Sequence, residues 1–132
     1  MKYNILFAAV FLAIVIIAGC KDTITNQSVD EHQIPSKNVS YNNDIQPLLE
    51  VKCNNAGCHD DQSRAGGLSF TSYQNTTSDP TVVVAGYPQN SRLIWAIQPG
   101  ATNHMPPVDR PQLTKNQIDG ITTWIKEGAK PN

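Results

Sequence analysis

Cys53-Asn54-Asn55-Ala56-Gly57-Cys58-His59 places two thiols and an imidazole within seven consecutive residues. Each thiol can add across a haem vinyl group to form a thioether, and the imidazole that follows at once can reach one face of the iron as an axial ligand. The common attachment signature has two residues between its cysteines, whereas four separate Cys53 from Cys58. The longer loop must bulge away from the porphyrin and still bring both sulfurs to vinyls a fixed distance apart. Gly57, just before the second cysteine, supplies backbone freedom for that bend.

A haem iron takes a second axial ligand. Apart from Met1, Met105 is the only methionine, and it lies in Asn103-His104-Met105-Pro106-Pro107. The prolines fix φ and oppose helix formation, so this stretch reads as a stiff, extended loop that loses little entropy when its sulfur is held against a metal. His104 competes with Met105 for the iron, and a bis-histidine haem would have the lower potential. The same residues admit other readings: a Cys53–Cys58 disulfide loop, a zinc site from Cys53, Cys58, His59 and His104, and Met105 as core filler.

Three helices can position these groups. Asn43 or Asp44 can cap a helix carrying Ile45, Leu48, Leu49 and Val51 mostly on one side, with Pro47 in its first turn, and this helix delivers Cys53. Thr114-Lys115-Asn116-Gln117 is a capping-box pattern opening a helix with Ile118, Ile121, Trp124 and Ile125 at three-and-four spacing and Gly128 at its end. Pro88 to Ser91 starts a shorter helix through Ile97, stopped by Pro99-Gly100. Thr81 to Val84 has strand character without a partner run and reads as extended loop.

The haem segment, the Gly66-Gly67-Leu68 that follows it, the Met105-Pro106-Pro107 loop and the ending Trp124-Ile125-Lys126-Glu127-Gly128-Ala129 together resemble c-type cytochromes. The likeness is to the compact haem domains of Bacteroidetes and Planctomycetes and spans about Tyr41 to Ala129. It implies an all-α, class I-like bundle of three main helices and long loops around one covalent haem c. His59 is then the proximal ligand and Met105 the distal one, and Trp124 fills the crossing of the first and last helices. Leu68, Leu93, Ile94 and Ile97 are expected to pack on the haem. Arg92 and Trp95 are within reach of a propionate in sequence terms, although solvated-face and core roles suit them as well.

The first nineteen residues read as a lipoprotein signal peptide: Lys2, an apolar run from Ile5 to Ala18, and Ile17-Ala18-Gly19-Cys20 as a lipobox. That run falls short of the roughly 20 residues a bilayer-spanning helix needs. In lipoproteins that this start resembles, the thiol equivalent to Cys20 is acylated and becomes the mature N-terminus. Residues 20–40 are polar with isolated Ile24, Val29, Ile34 and Val39, and read as a flexible acylated tether spanning on the order of 25 Å, or about 65 Å when pulled out. Residues 41–132 form the haem domain. Its core of roughly ninety residues is thin without the haem, and the apoprotein is expected to be largely unfolded.

Ten basic against eleven acidic residues, with no polybasic patch, exclude a nucleic-acid partner. Filled axial positions imply an electron carrier, not an enzyme, probed by redox proteins at the haem edge and working as a monomer. The expected location is the cell envelope, lipid-anchored, with the outer membrane favoured by Lys21-Asp22 after the anchor and the periplasmic face or cell surface left open. Two rival functions use the same residues: a haem enzyme or gas sensor with a labile distal ligand, and a non-haem binding lipoprotein with a Cys53–Cys58 disulfide.

Overall fold

The computed structural model describes residues 23–132; the expected signal peptide, residues 1–19, and the expected lipidation site Cys20 lie outside them. Five α-helices follow in order: α1 (Asn26–Glu31), α2 (Gln46–Lys52), α3 (Tyr73–Thr77), α4 (Arg92–Ile97) and α5 (Lys115–Lys126). Among the described residues there is no strand, and no helix is long and apolar enough to cross a membrane. The all-α expectation holds, with α2, α4 and α5 as the three main helices.

α5 begins as its sequence dictates. The Thr114 hydroxyl accepts from the Gln117 backbone N–H and the Gln117 side chain accepts from the Thr114 N–H, satisfying two donors that a helix start leaves free. Its apolar face buries Ile121, Trp124 and Ile125 at 1% exposure or less. Trp124 packs at 5.3 Å between centroids on Tyr41, just ahead of α2, and donates its indole N–H to the Lys130 carbonyl. An indole buried with its polar edge satisfied is among the most stabilising core residues available. Trp124 therefore packs where the chain just ahead of α2 meets α5.

The first main helix starts earlier than the sequence implies. Ser40, not Asn43 or Asp44, is the cap: its hydroxyl accepts from the Asn43 N–H, and a wide π-helical turn over Tyr41–Ile45 runs into α2, which has Pro47 in its first turn. The Asp44 carboxylate is occupied elsewhere, accepting from the Ser40 N–H and contacting His32 Nε2 at 2.8 Å. At α4, Ser91 is the cap residue after a short 3-10 turn over Pro88–Asn90. Thr81 to Val84 is a turn, not extended chain, with Val82 and Val83 buried. α3 and the 3-10 turn Ala65–Gly67 were not foreseen.

The expectation of a flexible tether is overturned for residues 26–40. Val29, Ile34 and Val39 are buried as part of the single hydrophobic core, while Ile24 stays 47% exposed. Composition made this segment too polar to order itself, but its backbone is satisfied by α5 and the chain after it. Ile34 exchanges hydrogen bonds with the Asn116 side chain at 2.9 and 3.0 Å, Glu127 accepts from the Asn38 and Val39 N–H groups, and the Asn132 side chain accepts from the Tyr41 N–H. The Ile34 side chain sits where a Cβ on Gly120 would be, 2.6 Å from its Cγ2, so only glycine admits it. The segment is a strap across α5.

Candidate functional site

α2 ends at Lys52, and Cys53 caps it with its N–H donating to the Leu49 carbonyl. From there the loop closes on itself. The His59 N–H donates to the Cys53 carbonyl at 3.1 Å, the Cys58 N–H to the Asn55 carbonyl at 2.9 Å, and the Ala65 N–H to the Cys58 carbonyl at 2.8 Å. Gly57 takes φ +84°, where a side chain is strained, and its N–H donates to Asp60 Oδ2 and Ser63 Oγ. The bend that the two extra residues require is thus made at Gly57.

A second layer holds the chain leaving His59. The Phe70 N–H donates to the His59 carbonyl at 3.0 Å, and the Phe70 ring stands edge-on to the imidazole at 5.0 Å. The Asn54 amide donates to the Phe70 carbonyl, bridging the two ends of the loop. Asp61 accepts from Ser69, Thr71 and Asn75, of which Ser69 is buried. Hydrogen bonds from Ser69 and then Thr71 hold the Asp61 carboxyl below its ordinary value. Backbone N–H groups, that of Ser63 first, do the same for Asp60.

The loop opens onto a two-lobed crevice. One lobe, of about 530 Å³, is lined mainly by apolar groups that include Leu68, Phe70, Leu93 and Ile97; the other, of about 410 Å³, lies against Cys58 and Pro106. Both volumes fall within the roughly 300–1,000 Å³ of cofactor sites. Cys53, His59, Ala65 and Met105 line both lobes and form the seam between them. Among the expected packing residues, Leu68, Leu93 and Ile97 line the crevice. Ile94 does not: it is buried in the core on another side of α4.

Met105 reaches the seam because its N–H donates to the Ala96 carbonyl at 2.8 Å, pinning the proline loop to the end of α4. The Gln112 amide braces the same loop through the carbonyls of Pro107 and Arg110. His104 is turned aside: its Nδ1 bonds the Pro106 carbonyl at 2.9 Å and it lines neither lobe. Arg92 and Trp95 both border the larger lobe, with Arg92 3.7 Å from Asp79 and the Trp95 indole donating to the Gln89 carbonyl. The charged residues that line the crevice, Lys52, Arg92 and Arg110, are all cationic.

The donor set fits a covalently attached haem. Cys53 and Cys58 are free thiols, so the disulfide alternative is not formed. Burial, followed by the neighbouring Cys58, pushes the Cys53 thiol up to about 12, which keeps it protonated at neutral pH. His59 Nδ1 is buried with no hydrogen-bond partner. An orphaned buried imidazole nitrogen costs free energy, so the His59 ring is not satisfied by the protein's own groups alone. Among the described residues no three His, Cys, Asp or Glu gather closely enough to hold a bare metal ion, which disfavours the zinc alternative.

Phe70, Lys52 and Asp61 were missed by sequence reasoning. Their roles arise from contacts with residues distant in the chain, and no spacing signals them. Comparison with known proteins matches residues 56–109 to the family described as Planctomycete cytochrome C. The match takes in Cys58, His59 and Met105, begins three residues after Cys53, and covers less than half of the chain. Curated proteins and solved structures give no match. With its loop of paired cysteines, crevice and methionine loop arranged in this order, the matched stretch is similar to a c-type cytochrome domain.

Proposed function

We propose that this chain is a one-electron carrier of the cell envelope. Cys53 and Cys58 would hold one haem c through thioethers, His59 and Met105 would ligate its iron, and a lipidated Cys20 would anchor the chain. The observation that carries the reading is the convergence of Cys53, His59 and Met105 on the seam of one largely apolar crevice, with Cys58 in the adjoining lobe.

When bound, such a group supplies an iron that changes oxidation state by one electron. The chain's own residues set the conditions for that change. Leu68, Phe70, Leu93 and Ile97 keep water from the larger lobe, and Phe70 backs the His59 ring. Met105 is preferred over His104 because its backbone is pinned toward the seam while the His104 ring is engaged with its own loop. With His59 and Met105 both holding the iron, no site would be left for a substrate, and the group would exchange electrons with redox proteins. The outer membrane is the favoured location, on either its periplasmic or its outer face.

Replacement of Met105 tests the ligand set. Met105→His should lower the reduction potential while the haem stays low-spin, because a thioether raises the potential relative to an imidazole. An unchanged potential removes Met105 from the coordination sphere. The rival reading, a haem enzyme or gas sensor, draws support from the 39% exposure of Met105. Rapid, complete carbon monoxide binding at neutral pH by the reduced protein would favour it.

A further inference from the structure

The strap ends at the haem site. Asn26, the first residue of α1, lines the lobe of the crevice that also contains Cys53, Cys58, His59 and Met105. From Asn26 onward the segment is clamped along its length. Gln117 Nε2 donates to the Val29 carbonyl and to Asp30 Oδ1, and His32 contacts Asp44 at 2.8 Å. Ile34 fills the notch at Gly120, and Glu127 takes the N–H groups of Asn38 and Val39.

The clamp includes a buried cation. The Lys52 side chain is 1% exposed, and its Nζ lies 2.8 Å from Asp30 Oδ1, in contact but without the angle of a good hydrogen bond. Lys52 directly precedes Cys53 and lines the same lobe as Asn26. Undocking α1 would leave that ammonium without its counter-ion beside the attachment loop, which ties strap docking to the integrity of the site.

We propose that the strap holds the haem crevice at the lipid surface, on a leash no longer than the six residues from Cys20 to Asn26. The proposal rests on the reading of Cys20 as a lipid anchor. At most about 20 Å then separates the anchored residue from the crevice wall, against about 65 Å for a free twenty-residue tether. The lobe bordered by Asn26, Cys53 and Cys58 then stays within that reach of the headgroups, and the redox partner has to be one that works at the same membrane.

The test uses the mature, lipidated holoprotein on vesicles of phosphatidylethanolamine and phosphatidylglycerol carrying a headgroup fluorophore, which haem quenches by energy transfer. Cys20→Ala serves as the unanchored control. The protein should float with the vesicles and quench, and a variant with twenty Gly/Ser residues inserted between Asp22 and Thr23 should float equally well but quench at least twofold less. Equal quenching by the two floating proteins would overturn the leash while leaving the anchor intact. Failure of the unmodified protein to float, matching Cys20→Ala, would overturn the anchor and the leash with it.

Discussion

Gly57 carries the adaptation that sets this attachment loop apart. At φ +84° a Cβ would meet no atom within 4 Å, so the whole cost of a side chain there is backbone strain. Gly57→Ala should destabilise the holoprotein by about 1 kcal/mol in thermal or denaturant unfolding and reduce the fraction of haem attached. Around the loop, Asp60 and Asp61 are both held below the ordinary carboxylate value. A carboxyl lowered in the folded state contributes stability that is present above its unfolded value, about 3.9, and lost as pH falls through the lower folded one. The melting temperature should therefore be level from about pH 5 to 7 and fall below about pH 4, less steeply in Asp61→Asn. Cys53, Cys58, His59 and Met105 could be singled out from sequence because their chemistry is written in residue type, and the fold brings them to one crevice. Phe70 and Asp61 could not, since a phenylalanine beside an imidazole or an aspartate under three donors is defined only by the fold.

Among the helices, α5 was the most legible because both of its ends carry local signals. Its capping box predicts a loss of about 1 kcal/mol for Thr114→Ala in denaturant unfolding. The start of the first main helix was misplaced because Asn43 and Asp44 are good caps by type, whereas the Ser40 N–H four residues back and His32 from the strap claim the Asp44 carboxylate. The strap was illegible for a similar reason: its few apolar residues look isolated until Gly120 and the side chains of Asn116, Gln117 and Glu127 are set opposite them. Gly120→Leu should eject Ile34 and make the chain before Tyr41 sensitive to limited proteolysis, with α5 still helical by circular dichroism. At the other end of the strap, desolvation pushes the Asp30 carboxyl up, but Lys52 and Gln117 outweigh it and hold it low. Asp30→Asn should cost about 2 kcal/mol, below the 3–5 of a fully buried pair because Asp30 is 39% exposed.

A domain this small that folds around a crevice of several hundred cubic ångströms has left out side chains it would otherwise need. Phe70, Leu93 and Ile97 line that space and are already buried, whereas Leu68 is only partly covered and would gain burial against a bound group. The general plan of helices around one crevice was legible because the cysteine motif, the methionine loop and the final helix come in one order along the chain. The close approach of the N-terminal segment to the crevice was not. Cys53→Ser, Cys58→Ser protein should accordingly lose most of its helical circular dichroism, and native-like helicity without haem would count against a structural role for the group. The claim beneath all of this is that Cys53 and Cys58 bind haem covalently. The most direct measurement is a pyridine haemochrome spectrum of protein matured in cells with a haem-attachment system, taken after acid-acetone extraction of loose haem. One equivalent of extraction-resistant haem c per chain, absent from the double serine variant, is the predicted result; colourless protein would contradict it.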